Sequence, residues 1–211
     1  MENLQWFEWN PFLFKKLTPM INKGWTFVDI GANHGEFTDF FKEFSYKRIY
    51  SFELNPITAE VLKNKYKEFP CITVENYAVC DKNGVVDFYD GGKTKSDTCY
   101  NILGHNMDFE TTEKIGHIKS IRLDTYFGNT KIDLIKIDVE GAELLVLEGL
   151  KSLIKNIGLL LIECHLDKDW ETLRGILLND LKLQCINFYD NSIISDSSPR
   201  PYQCLCKHIG Y

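Results

Sequence analysis

The segment Trp25-Thr26-Phe27-Val28-Asp29-Ile30-Gly31-Ala32-Asn33-His34-Gly35 constrains this chain more than any other. An apolar run ends in an acid and a glycine, and a second glycine follows where a helical pattern begins. That reads as a β-strand, a tight turn and a helix N-terminus, the opening unit of an α/β sheet whose ligands bind beyond the carboxyl ends of its strands. Short apolar runs predict further strands, giving 26–30, 48–52, 71–75, 133–137, 158–163, 181–188 and 203–207. Helical spacing predicts helices at 10–21, 35–44, 56–67, 141–155 and 169–179. Alternation of the two implies βαβ units, so the expected fold is Rossmann-like α/β, a mostly parallel seven-stranded sheet with helices on both faces. The polar stretch 190–202, with Pro199 and Pro201, makes the last two strands an antiparallel hairpin with an antiparallel C-terminal strand.

The 211 residues suit one domain, with 1–24 as a helical and aromatic cap and 90–117 as an insertion on the substrate side. Two further strands are predicted beside that insertion, at 85–89 and 118–123. Hydrophobic residues at 44% and charged residues at 26% are globular values, and no apolar run reaches the roughly 20 residues of a membrane span. The N-terminus lacks a basic start and a continuous apolar stretch, so a soluble, cytoplasmic protein is expected. A net charge of -6 gives no global attraction for phosphate backbones, and no nucleic-acid partner is expected. The seven cysteines contain no C-x-x-C pair and read as buried reduced thiols, with Cys204 and Cys206 on one side of a strand.

The glycine spacing is G-x-x-x-G, without the third glycine of the dinucleotide fingerprint, which disfavours a pyrophosphate and with it a nicotinamide-dependent dehydrogenase. Asp29 beside the turn would repel phosphate but suits a cationic, sulfonium-bearing ligand. Glu53 ends the second strand, where a carboxylate can accept hydrogen bonds from both hydroxyls of a ribose. Asn55-Pro56 then supplies a helix cap and a first-turn proline.

Four blocks, VDIGANHG at 28–35, SFELNP at 51–56, LIKIDVEGAE at 134–143 and LLLIECH at 159–165, together resemble the FkbM family of methyltransferases. NYAVCDKNG at 76–84 and IRLDTYF at 121–127 add weaker support. The resemblance implies a class I methyltransferase fold, S-adenosylmethionine as cofactor, and methyl transfer to a hydroxyl, commonly of a sugar or a polyketide. It places Asp29, Gly31, Asn33 and Gly35 in the cofactor loop, Glu53 at the ribose, and Asn76 with Ala78 near the adenine. His34 departs from the family's apolar residue and reads as a variable turn position.

A hydroxyl does not ionise unaided at neutral pH, so methyl transfer to it needs a positioned base or a metal. The strands ending in Lys136-Ile137-Asp138-Val139-Glu140 and Glu163-Cys164-His165 finish on the cofactor's edge of the sheet. Asp138, His165 and Glu163 are the candidate catalytic residues, Asp138 also bordering the cofactor. His165 or Asp138 as a metal-free base is the expectation. The alternative is a divalent ion held by Asp138, Glu163 and His165, whose mixed oxygen and nitrogen ligands suit manganese or zinc better than magnesium. Glu140, Ser96 and Asn101 are candidate substrate contacts, with Asp97, Arg200 and Tyr202 as further hydroxyl-recognition candidates. The aromatics Trp6, Phe7, Trp9 and Phe12 offer either a sugar-stacking wall or helix packing. Lys136, inside an apolar strand, requires a carboxylate partner, and Asp124 is expected to cap the helix after it.

The acceptor expected from the resemblance is a saccharide, such as a deoxyhexose of a glycan. A small natural product, a protein side chain, or a binding module without turnover are the alternatives.

Overall fold

A computed structural model describes residues 11–90, 100–104 and 112–208, with side chains from residue 14 onward. Trp6, Phe7, Trp9, the Phe12 side chain, Ser96 and Asp97 lie outside the described residues. The chain runs α1 (Pro11–Leu17), β1 (Trp25–Ile30), α2 (Glu36–Lys42), β2 (Tyr46–Phe52), α3 (Pro56–Tyr66), β3 (Ile72–Glu75), β4 (Ala78–Val79), β5 (Gly84–Tyr89) and β6 (Lys114–Ile121). It continues through α4 (Leu123–Phe127), β7 (Ile132–Ile137), α5 (Glu143–Leu150), β8 (Ile157–Glu163), α6 (Asp167–Gly175), β9 (Leu183–Asn187) and β10 (Gln203–His208).

The main sheet has seven strands in the order β3-β2-β1-β7-β8-β10-β9, parallel except for β10, which runs antiparallel to β8 and β9. This is the expected fold. From β1 the chain first winds outward to β2 and β3 and later returns to place β7 on β1's other side. The carboxyl ends of β1 and β7 therefore flank the point where strand order reverses, the usual ligand crevice of such sheets.

Strand alternation builds both layers of the core. Val28 and Ile30 of β1 join the cluster around Ile135, Ile137, Val146 and Leu150 under α5. Phe27 points to the other face, where Phe41, Leu62 and Leu134 pack beneath α2 and α3. A strand apolar on both faces is what a fully covered parallel sheet requires. Asn55 accepts from the Ile57 N–H and Pro56 opens α3, as expected.

Three readings are corrected. The helix expected at 141–155 is α-helical only over Glu143–Leu150 and tightens to a 3-10 segment over Lys151–Asn156. Asp124 does not cap α4; it sits in the first turn, and the Arg122 guanidinium donates to both of its oxygens at 3.0 and 2.7 Å. Cys185 and Cys206 are not reduced thiols but form a disulfide, because the β9–β10 register sets them opposite each other with Cα atoms 4.1 Å apart. A second sheet, in the order β4-β6-β5, contains the two strands predicted beside the insertion and adds β4, whose two residues are too short for a periodicity signal.

Arg122 also donates to the carbonyls of Asp81 and Glu148, tying three segments together. Asp124→Ala should therefore cost about 1.5–3 kcal/mol, the range for charge-assisted hydrogen bonds. The hydrogen bond from Arg122 outweighs burial and holds the Asp124 carboxyl below its ordinary pKa. A depressed folded-state pKa contributes stability that is complete above the unfolded value, near 4, and is lost as pH falls through the folded value. Urea melts should show the full difference from wild type at pH 7, and a smaller one as the pH is lowered below about 4.

Candidate active site

A cavity of about 850 Å³ opens over the carboxyl ends of β1, β2, β7 and β8, large enough for a nucleoside-sized cofactor together with part of an acceptor. Its β1 side is shaped by the first turn. Gly31 adopts φ 76°, and its N–H and that of Ala32 both donate to the Phe52 carbonyl at 3.0 Å. Asn33, also left-handed at φ 46°, donates its N–H to Glu53 at 2.7 Å. The other Glu53 oxygen accepts from the Asn55 N–H at 2.7 Å, so both oxygens are fixed at the cavity wall with lone pairs to spare. Burial raises the Glu53 pKa, opposed by those two backbone donors. Asn33 Oδ1 is buried against the cavity without a hydrogen-bond partner among the described residues.

Asp29 is placed differently from the sequence expectation. It shares the face of Phe27, because side chains two apart on a strand point the same way, and it lies under α2 rather than on the cavity wall. It is fully buried, accepts from the Thr38 hydroxyl at 2.9 Å, and stands 3.4 Å from Lys136, its neighbour across the β1–β7 register. Lys136 in turn reaches Asp138 at 3.1 Å and donates to the Gly31 carbonyl at 2.8 Å. Burial would lower the Lys136 pKa, but Asp138 and Asp29 hold it above the ordinary value. The ion pair expected of Lys136 is therefore a bridge, with Asp29 beneath the site and Asp138 inside it.

Ala78, Leu54, Tyr77 and Val79 form an apolar part of the wall. Asn76 does not reach it; its amide donates to the Glu53 and Leu54 carbonyls and so sets the strand end from behind. Gly35 starts α2 at φ 86°, against the Tyr66 hydroxyl, which donates to the Gly35 carbonyl at 3.0 Å. His34 is exposed and off the cavity.

The β7 and β8 ends bring Asp138, Glu140, Glu163 and His165 together on one wall. The His165 side chain is 94% buried, and Nδ1 lies 2.6 Å from Glu143, a buried residue of α5. That contact aims Nε2 at three carboxylates: Glu163 at 3.3 Å, Asp138 at 3.6 Å and Glu140 at 3.8 Å. Burial would lower the His165 pKa, but Glu143, Glu163 and Asp138 push it up to about 11. Burial, with the charges of Asp138, Glu163 and Glu143, raises Glu140 to about 7 against the pull of His165. Glu163 is held below its ordinary value despite burial by hydrogen bonds from His165, Tyr202 and Gln203.

Glu143 and Gln203 are the residues that sequence reasoning missed. Glu143 reads as a helix-dipole acid, and its pairing with a histidine 22 positions later leaves no local trace. Gln203 meets Glu163 only through the β8–β10 register, its amide donating at 3.0 Å. Asn101 does line the cavity, although its side-chain oxygen is occupied by the N–H groups of Leu103 and Gly104. Arg200 lines it as well and is anchored by hydrogen bonds to Asp167 and to the Cys164 carbonyl.

The model of the methyltransferase FkbM domain matches residues 29–183. The chain belongs to the FkbM methyltransferase family. As a member it is an S-adenosylmethionine-dependent methyltransferase. No curated protein matches it by sequence. Among solved structures it resembles precorrin-6y C5,15-methyltransferase from Geobacter metallireducens GS-15, at 11% identity and TM-score 0.51, covering 92% of this chain and 85% of that one. An rRNA methylase from Streptococcus thermophilus matches at 13% identity and TM-score 0.49, over 93% and 94% of the two chains. TrmK of M. capricolum, solved with S-adenosyl-homocysteine, matches at 14% identity and TM-score 0.47, over 93% of this chain and 66% of its own. At 11% identity the likeness to the precorrin methyltransferase concerns the fold alone. Among the described residues no helix is long and apolar enough to cross a membrane.

The cavity suits the family's cofactor. Glu53 offers two fixed acceptors for a ribose, Ala78, Leu54 and Val79 offer an apolar face for a base, and Asn33 Oδ1 still needs a donor. The acids around Asp138 favour a cationic sulfonium over a phosphate.

Proposed function

We propose that this FkbM-family protein is an O-methyltransferase that transfers the methyl group of S-adenosylmethionine to a hydroxyl of a saccharide. The observation that carries the reading is the cluster of Asp138, Glu163 and His165, which shares one cavity with Glu53 and Asn33. In this reading Gly31, Asn33, Glu53 and Ala78 bind the cofactor, Asp138 borders both ligands, and Glu140 and Asn101 contact the acceptor.

S-adenosylmethionine supplies an electrophilic methyl whose bond to sulfur breaks as the acceptor oxygen bonds to carbon, the sulfur keeping the electron pair. The protein's own task is to bring the hydroxyl in line with that methyl and remove its proton. Asp138 is the base to which the proton passes, with His165, kept protonated by its carboxylate neighbours, and Glu163 holding it in place. His165 is oriented by Glu143, and Glu163 by Tyr202 and Gln203, so the group is held before the acceptor arrives. Tyr100, Tyr189 and Tyr202 also line the cavity, and aromatic faces suit the C–H side of a sugar ring.

The test is incubation of the purified protein with labelled S-adenosylmethionine and a panel of deoxyhexosides. Label in a sugar methyl ether is the expected result. Label in a protein, lipid or RNA with none in any sugar would overturn the acceptor assignment. Calorimetry with S-adenosylmethionine should show Glu53→Ala weakening binding by roughly 10- to 100-fold, the loss of charge-assisted hydrogen bonds to the ribose.

A further inference from the structure

We propose that Asp138, Glu163 and His165 form a binding site for one divalent transition-metal ion of the manganese or zinc class, with Glu140 standing beside it. The ligand atoms these three residues offer all lie within 4.8 Å of one another. From His165 Nε2, the Glu163 and Asp138 oxygens are 3.3 and 3.6 Å away. Ligand atoms that share an ion at about 2.1 Å sit roughly 3.0–3.5 Å apart. The two distances from Nε2 are therefore close to the edges of a coordination sphere, and the third pair lies within 4.8 Å.

The histidine identifies the ligand class. An acidic cluster alone attracts any cation, but here a 94% buried imidazole is aimed into it. Nδ1 is committed to Glu143, whose oxygen also accepts from the Gly141 N–H at 3.1 Å. With Nδ1–H kept on Glu143, an ion that displaces the Nε2 proton meets the Nε2 lone pair facing Asp138 and Glu163, and a carboxylate behind a ligating imidazole is the usual support of a bound transition metal. Magnesium and calcium prefer all-oxygen sites, whereas one nitrogen with two carboxylates suits manganese or zinc.

Charge points the same way. Asp29, Asp138, Glu140, Glu143 and Glu163 crowd together, and Lys136 is shared between Asp29 and Asp138. A divalent ion at Nε2 offsets the remaining negative charge where the imidazole alone supplies at most one positive charge.

The consequence for chemistry rests on the methyl-transfer reading. An acceptor hydroxyl bound to the ion loses its proton more easily. In the metal-bound form Asp138 is a ligand and no longer the base: the O–H bond breaks with its electron pair left on oxygen, the proton passes to Glu140 instead, and that oxygen forms the bond to the methyl carbon.

The experiment is metal binding by the full chain, independent of turnover. Protein stripped by chelator and dialysed is titrated with MnCl2 or ZnCl2, using calorimetry, manganese paramagnetic resonance and elemental analysis. One ion per chain, with affinity lowered at least 100-fold in His165→Gln and in Asp138→Asn, is the expected result. Glu143→Gln, which leaves all three ligands in place, should weaken binding roughly 10- to 100-fold. Circular dichroism and thermal melts identify any variant that has not folded, and Glu143→Gln keeps the proposal testable if the ligand variants have not.

Folded wild type that takes up neither ion at millimolar concentration, or that binds one as tightly after His165→Gln and Glu143→Gln, would overturn the site. Stoichiometric binding without methyl transfer to any acceptor supports the site and counts against the functional reading. Full turnover by protein shown free of metal does the reverse.

Discussion

Gly31→Ala is expected to abolish cofactor binding and to destabilise the fold by about 2–5 kcal/mol, the sum of a left-handed alanine and an overpacked contact. A Cβ at this position would stand 1.8 Å from the Asp138 carbonyl oxygen, at a backbone φ of 76° that side chains resist. The obstacle is backbone, so no rotamer change relieves it. The ends of β1 and β7 must part, and with them move the Gly31 carbonyl that holds Lys136 and the turn that aims Asn33 at Glu53. Calorimetry should show S-adenosylmethionine affinity reduced at least 100-fold. Gly175→Ala is the control, since a Cβ there meets nothing within 4 Å and the residue is helical. That variant should be as stable as wild type or up to about 1 kcal/mol more so. Wild-type affinity in Gly31→Ala would mean that the β1 turn does not shape the cofactor site.

Lys136→Met should be the most damaging charge removal among the described residues. It leaves Asp29, fully buried, and Asp138 without the ammonium group that bridges them, and breaking a buried pair costs about 3–5 kcal/mol. Methionine preserves most of the apolar stem of Lys136, so the loss reports the charge, including the contact of the ammonium with the face of the Phe37 ring 5.1 Å away. Adding Asp29→Asn to Lys136→Met should recover part of the loss, because the amide can still accept from Thr38 without burying a charge. Urea unfolding of the two single variants and the double variant measures the coupling. A loss below about 1 kcal/mol in Lys136→Met would show that the bridge contributes little to folding.

The order of strands and helices, the cofactor turn and the acids at the strand ends were legible in the amino-acid sequence, because each depends on local periodicity or on residues a few positions apart. VDIGANHG announces its own turn, since left-handed φ values at Gly31 and Gly35 are compatible with glycine, and Glu53 ends a strand whose apolar run marks its length. The same local signals could not say which acid faces the ligand. Alternation places Asp29 with Phe27, but only the packing of α2 over that face made it the buried one, and the β1–β7 register then set Lys136 between it and Asp138. The Cys185–Cys206 disulfide, the Glu163–Gln203 contact and the Glu143–His165 pair depend likewise on partners 21, 40 and 22 residues apart. Local sequence thus determined where chemistry could sit in this protein, while the tertiary structure decided which side chains meet there, because strand register and helix packing join residues that share no sequence window.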